Sequence, residues 1–437
     1  YEAARLGLSV VGNDINPMSA WLNRRAFDQL DIEQFEAAAE SVLRLAQEEL
    51  GDLYKTRCVT CDQQADVKYF LWVKQCNCPN CGKDFDVFPG HMLAENVRHP
   101  NYVVGCKSCG ALNEYEALPT PDSPGTCQKC DSTVTAEGNF KRSKATCPHC
   151  ATTSNFPSQA AEPPRHRLWA MEYWCQGCYH TVKGRQFKAP DHEDLRRVDE
   201  ADRTHRQSPY RHLVPAEEIP AGDETDRLHR WGYSHYAQMF NDRQLLALTC
   251  LVDKIQRQPS RPIQDALLTV LSDILRYNNM LCRYDTYALK CQDIFSVHGF
   301  PVGVVQCENN PLGIPNVGSG GFRHFIEKYV RAKTYAKRPF ETAVTGKKKQ
   351  LLYPEGEAIE IQPNSSRTVA ILCQPSQEVE LQPGSLDGVF TDPPYFANVQ
   401  YSELIDFCYV WLRTAARNDD GLLTPHSTRS AMEATGN

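Results

Sequence analysis

Twelve cysteines form six Cys-x-x-Cys knuckles: Cys58/Cys61, Cys78/Cys81, Cys106/Cys109, Cys127/Cys130, Cys147/Cys150 and Cys175/Cys178. Two thiolates at this spacing can grip one Zn²⁺ from a tight turn, and two knuckles complete a tetrahedron. Pairing the knuckles in chain order leaves spacers of 16, 17 and 24 residues. The first two fall in the range of a zinc ribbon, and the third is longer but workable. The expectation is therefore three closed, structural sites holding about three Zn²⁺. Cys76, His149, His166 and His180 stand nearby as alternative ligands. The His-x-Glu and Pro-Cys-x-x-Cys arrangement of zinc deaminases is absent, which argues against a catalytic zinc.

A second constellation, Thr391-Asp392-Pro393-Pro394-Tyr395-Phe396, follows an apolar run, Leu386 to Thr391. Two prolines fix the backbone and remove two N–H donors, leaving carbonyls as acceptors. The Asp392 carboxylate and the Pro393 carbonyl could accept hydrogen bonds from an exocyclic NH₂ and aim its lone pair, while Tyr395 stacks on the ring. Asp14 is a third element, in Gly12-Asn13-Asp14-Ile15-Asn16-Pro17 after a short apolar strand. An acidic residue at such a strand end commonly binds ribose hydroxyls. An Asx turn is the plainer reading of the same residues.

These groups need elements to position them. Tyr1–Leu6 reads as a helix end with Gly7 as its stop, Leu8–Val11 as a strand, and a helix starts near Met18 behind Pro17. Residues 368–373 and 386–391 read as buried strands, and Tyr401–Arg413 as an amphipathic helix. Between them lie a cysteine-rich insert over 50–185, a polar connector with little core over 186–240, and a helical and basic region over 241–360. Residues 1–49 and 361–437 then form the two parts of one α/β domain split by the insertion. The glycine-rich stretch 309–321 lacks a phosphate-loop ending. Residues 322–349 carry nine Lys/Arg against Glu327 and Glu341, interleaved with Phe322, Phe325, Tyr329 and Tyr335. That mixture suits phosphate contact and base stacking, or a solvated helix face.

Composition narrows the classes. A chain of 437 residues suggests two or three domains. Its net charge of -7 means that any nucleic-acid surface must be local. No apolar run approaches the roughly 20 residues of a membrane helix. Thirteen of the 19 cysteines fall between Cys58 and Cys178, in pairs and without a secretion signal, which favours metal in a reducing cytoplasm. The chain begins at Tyr1 rather than Met, and its natural start is expected upstream.

Three stretches carry a resemblance. They are Glu2-Ala-Ala-Arg-Leu-Gly-Leu with Asp14-Ile-Asn-Pro, the knuckle insert including His166 to Cys175, and Asp392-Pro-Pro-Tyr through Leu404 with Phe407 to Arg413. Together they resemble the adenine-specific DNA methylases that carry a zinc ribbon, the family of the domain of unknown function 1156. The resemblance implies an incomplete Rossmann-like class I methyltransferase sheet, split by a zinc-ribbon insertion and a helical segment. It implies S-adenosylmethionine as cofactor, held by Asp14 and Asn16, and a target amine received by Asp392, Pro393, Pro394 and Tyr395. It further implies DNA as substrate, direct in-line methyl transfer to adenine N6 of a flipped-out base, and other subunits of a defence or modification system as partners. The family's glycine-rich cofactor loop would precede Tyr1, so the chain reads as a fragment. Two other readings stand beside this one: a non-catalytic zinc-ribbon protein that binds nucleic acid on a methyltransferase scaffold, and methylation of RNA or of a protein glutamine.

Overall fold

The computed structural model describes residues 1–5, 7–157, 161–338, 340–346, 348–353, 368–393 and 399–434. The chain is mixed α/β with several small sheets and two compact units. One unit joins Tyr1–Leu43, Val252–Asp273 and His324–Asn437; the other joins Arg44–Leu251 and Ile274–Arg323.

In the first unit, strand Val10–Asn13 pairs in parallel with strand Val369–Leu372, in the register Val10↔Val369 to Asn13↔Leu372. Gly7 (φ 91) ends the first short helix, its N–H reaching Ala4 O at 2.9 Å. Asn16 caps helix Pro17–Phe27 by accepting the N–H groups of Met18 and Ser19. Pro17 sits in the first turn, where its missing N–H costs nothing. Arg24 Nη2 donates to Ile371 O at 3.1 Å, tying that helix to the parallel pair. The other end of the same helix is capped by Lys333, whose ammonium donates to the carbonyls of Arg25, Ala26 and Asp28. Helix Tyr401–Ala415 buries Phe407, Tyr409 and Trp411. Asp406 anchors the chain that follows it, accepting from Ser427 at 2.6 Å and from Thr428 N–H at 2.6 Å.

Residues 386–391 correct an expectation. They form no strand, and Leu386, Val389 and Phe390 are 46%, 71% and 97% exposed. A parallel strand needs a hydrogen-bonded neighbour and cover on both faces. Among the described residues this run has neither. The basic stretch 322–349 also reads differently in space. Phe322 and Phe325 are buried core residues of helix Phe322–Lys337, and Tyr329 packs against Phe35. Its aromatic side chains serve packing, and Lys333 serves as a helix cap.

The second unit is built on one long strand, Gln64–Asn77. Strands His166–Trp174 and Val305–Asn309 flank it antiparallel, Gln186–Lys188 adds an edge, and Lys55–Arg57 and Asp84–Asp86 pair with its two ends. Tyr69, Leu71 and Val73 pack with Phe88, Leu93 and Trp169 in one core. Alternation sends Phe70 and Trp72 to the other face, where the Arg243 guanidinium lies 3.5 Å from the Phe70 ring centroid. Arg243 Nε and Nη2 each donate to Glu308 at 2.7 Å, and Trp72 Nε1 and Asn241 Nδ2 also donate to that carboxylate. The stretch read as a connector contains helix His192–Gln207, opened by a capping box between Asp191 and Asp194. Asp194 is buried, accepting from Thr56 at 2.6 Å and lying 2.9 Å from Lys188 Nζ. Asp194, Arg197 and His205 are the buried polar residues of this helix, while others of its polar side chains, Arg196, Asp199 and Arg203 among them, face solvent.

Candidate functional site

The twelve knuckle cysteines gather into three tetrads, and in each the four sulfurs lie within 4.8 Å of one another. The tetrads are Cys58, Cys61, Cys175 and Cys178; Cys78, Cys81, Cys147 and Cys150; and Cys106, Cys109, Cys127 and Cys130. A tetrahedron with Zn–S of about 2.3 Å has S···S edges of about 3.8 Å. The observed edges include Cys58–Cys178 at 3.9 Å, Cys61–Cys175 at 3.6 Å, Cys78–Cys150 at 3.6 Å, Cys81–Cys147 at 3.8 Å, Cys106–Cys130 at 3.7 Å and Cys109–Cys127 at 3.6 Å. All twelve are free thiols. The donor set and its size therefore fit Zn²⁺, with no vacant position for chemistry in a four-thiolate shell.

The tetrads gather the twelve cysteines read from the spacing, but the pairing in chain order holds only for Cys106/Cys109 with Cys127/Cys130. The other two sites are nested: the first knuckle joins the sixth and the second joins the fifth. The reason is the 14-residue strand that fills the first spacer. At roughly 3.3 Å per residue it holds its two ends about 45 Å apart, so Cys58/Cys61 and Cys78/Cys81 cannot share an ion. The antiparallel strand His166–Trp174 returns Trp174 beside Asp66, which delivers Cys175 to the first knuckle.

Five knuckles close identically. The N–H after the second cysteine donates to the carbonyl of the first: Asp62 to Cys58, Gly82 to Cys78, Gly110 to Cys106, Asp131 to Cys127 and Ala151 to Cys147, at 2.9 to 3.0 Å. Each of those five residues has positive φ, where glycine is least strained. The sixth knuckle closes as a short helical turn, with Tyr179 N–H on Cys175 O at 3.0 Å. The hydroxyl and backbone N–H of Thr152 hold the Cys150 thiol down at about 5. Cys76, His149, His166 and His180 take no part in a tetrad; Cys76 donates to Asn77 O.

The strand-end residues lie in the first unit. Asp14 follows strand Val10–Asn13 directly, and its Oδ1 accepts Asn16 N–H at 2.9 Å, an Asx turn. Its other oxygen takes no partner among the described residues. Asn13 Nδ2 donates to Gln374 O at 3.0 Å, and Asn13 Oδ1 is buried without a partner. Two acceptors thus stand at the carboxyl end of a parallel pair, beside Cys373, whose thiol is raised by burial and by the Asp14 charge. Asn16 spends its side-chain oxygen on the helix cap, which leaves its amide nitrogen as the group available to a ligand. Asp392 and Pro393 are exposed; Pro394, Tyr395 and Phe396 lie outside the described residues. The two halves of the expected transfer site share one compact unit.

Sequence reasoning missed the buried Arg243–Glu308 and Lys74–His166 pairs, because a single sequence does not distinguish an internal charge from a surface one. It also missed a cleft beside the Cys78/Cys81/Cys147/Cys150 tetrad, lined by Lys107, Lys141, Arg142 and Lys144. The signal there was the Lys-Arg-Ser-Lys run at 141–144.

No protein-family model, no curated protein and no solved structure matches the chain. Among the described residues, no helix is long and apolar enough to cross a membrane.

Proposed function

We propose that the protein is an S-adenosylmethionine-dependent amino-methyltransferase of DNA, acting on adenine N6, with three structural zinc ions in its second unit. The parallel pairing of Val10–Asn13 with Val369–Leu372 carries the reading, because it sets Asp14 at a carboxyl strand end, where open α/β sheets take nucleotide-type ligands. The second oxygen of Asp14, which hydrogen-bonds nothing in the turn, suits a ribose hydroxyl, with the Asn16 amide nitrogen beside it. The bound cofactor supplies an electrophilic methyl group.

The chain's own residues do the rest. Asp392 carboxylate and Pro393 carbonyl accept the two N–H groups of an exocyclic amine, which turns its lone pair out of the ring plane. Tyr395 stacks on the base that leaves the duplex. Proximity and orientation carry most of this catalysis, with no covalent intermediate on the protein, and the proton that the methylated amine must shed can leave by way of the Asp392 carboxylate to water. Adenine rather than cytosine, and DNA rather than RNA or glutamine, rest on the sequence resemblance. The exposed run Leu386 to Asp392 favours a second reading, a zinc-dependent nucleic-acid-binding protein without transfer activity.

The test is incubation of the full-length protein with unmethylated DNA and S-adenosylmethionine, followed by mass spectrometry of the nucleosides, with Asp392→Ala in parallel. N6-methyladenine from the parent and a loss of at least about a hundredfold in the variant is the expected result. N4-methylcytosine would correct the base. No methylated nucleoside from the parent would overturn the activity and leave the second reading.

A further inference from the structure

Beside the Cys78/Cys81/Cys147/Cys150 tetrad lies a cleft of about 1300 Å³ within the second unit. Its cations are Lys107, Lys141, Arg142, Lys144 and Arg167; its acids are Asp84 and Asp86. Arg167 is spent on Asp86, at 2.8 Å through Nε and 2.5 Å through Nη2. Among the described residues, Lys107 bonds the neutral Thr135 hydroxyl at 2.9 Å and enters no ion pair. Lys141, Arg142 and Lys144 are exposed and enter no ion pair or side-chain hydrogen bond among the described residues.

Three features of that hairpin run against its own stability. Lys141 and Lys144 stand directly opposite each other in the ladder, a position where like charges repel. The loop between them has Arg142 at φ 50 and Ser143 at φ 60. That backbone is a type I′ turn, which favours Asn-Gly and strains residues with long side chains. Three uncompensated cations thus stand in four consecutive residues. Strained, self-repelling placements of this kind gather at binding sites. The hairpin is nevertheless held firmly. Phe140 N–H donates to Phe88 O at 3.0 Å, Asn139 Oδ1 accepts Phe88 N–H at 2.8 Å, and Phe156 N–H donates to Ser143 O at 2.9 Å. Phe140 itself lines the cleft and is half-buried, edge-on to Phe156.

We propose that this cleft binds a single strand of nucleic acid, with Lys141, Arg142 and Lys144 on successive phosphates and Phe140 against a base. Cations alone would suit any polyanion. An aromatic ring on the cleft wall favours nucleic acid over an acidic peptide, because every base presents a face to stack on. The identity of that strand as DNA rests on the methyltransferase reading; the site does not.

The experiment is fluorescence anisotropy of a labelled oligodeoxynucleotide of about 20 nucleotides with the full-length protein over a salt series. The variants are the triple Lys141→Glu/Arg142→Glu/Lys144→Glu and Phe140→Leu. The triple should bind about tenfold to a hundredfold more weakly, with the slope of log affinity against log salt reduced by about two to three. Phe140→Leu should lose about fivefold with its salt slope unchanged. Parental binding by the triple variant overturns the site. So does equal competition by polyglutamate at matched charge. Loss of zinc from the triple variant also overturns it, because the cations would then serve to balance the doubly negative zinc tetrathiolate. Binding as predicted without methyl transfer by the parent leaves the cleft standing and removes the methyltransferase reading.

Discussion

Lys74 ends the buried core of strand Gln64–Asn77 with its ammonium 2.9 Å from His166 Nε2 and no carboxylate partner among the described residues. It is fully buried, and that burial lowers its pKa to about 7. The Trp231 ring, 5.5 Å away, compensates only weakly. An unfolded lysine titrates near 10.4. Between about 7 and 10.4, then, the folded chain holds a neutral amine while the unfolded chain binds a proton, so stability rises with pH across that window. His166, pushed well below its usual value by burial, adds the same sign in a lower window, below pH 6.5. Lys74→Met should therefore raise the unfolding free energy at pH 7 by on the order of a few kcal/mol, and flatten its rise toward pH 10. A variant less stable than the parent at pH 7, or one keeping the full slope, would show that the amine is charged in the fold. Nothing in the sequence around Tyr69-Phe-Leu-Trp-Val-Lys74 announced this. The knuckle cysteines were legible because coordination chemistry prescribes both residue and spacing. A buried lysine has no such grammar.

At the scale of elements, the clustered cysteines could be read and their pairing could not. A spacer of 16 residues suits a returning loop as well as a straight strand, and only the pairing of Gln64–Asn77 with its neighbours decides which. The nested arrangement makes a counting prediction. Cys61→Ser/Cys175→Ser removes two ligands from one site and should leave two zinc ions per chain after dialysis against a competing chelator. Cys61→Ser/Cys81→Ser damages two sites and should leave one. Pairing in chain order predicts the reverse for both, so metal analysis of the two proteins separates the topologies. Helix His192–Gln207 escaped the sequence reading for a related reason. Its buried Asp194 and Arg197 look like surface residues until Thr56 and Lys188 are placed against them. The run 386–391 failed in the opposite direction: apolar residues at strand spacing do not make a strand without a neighbour to pair with.

For the molecule as a whole, strand and helix alternation at the two ends of the chain was enough to suggest one α/β unit interrupted by an insertion. The parallel pairing of Val10–Asn13 with Val369–Leu372 is the contact such a unit needs. The sequence did not disclose how unevenly the insertion is packed, with cysteine tetrads that could hold metal at its periphery and an apolar core behind them. Around the Cys106/Cys109/Cys127/Cys130 tetrad, the buried apolar cluster is Val104, Val134 and two of the cysteines, with Tyr102, Ala111, Tyr115, Leu118 and Ala136 only partly buried against it. That is too little apolar surface to hold a fold without the ion. The central strand is different, flanked on both sides and packed with Tyr69, Leu71, Val73, Phe88 and Trp169. Stability should therefore be uneven within one unit. When zinc is stripped by a strong chelator, hydrogen exchange should first open the knuckle amides, such as Gly110 on Cys106 O and Asp131 on Cys127 O. The amides of Phe70 to Val73 should stay protected after these have exchanged. Simultaneous exchange of the ribbon and the central strand would mean that the ions at the two ends of Gln64–Asn77 hold the sheet itself, and that the apolar core behind it does not stand alone.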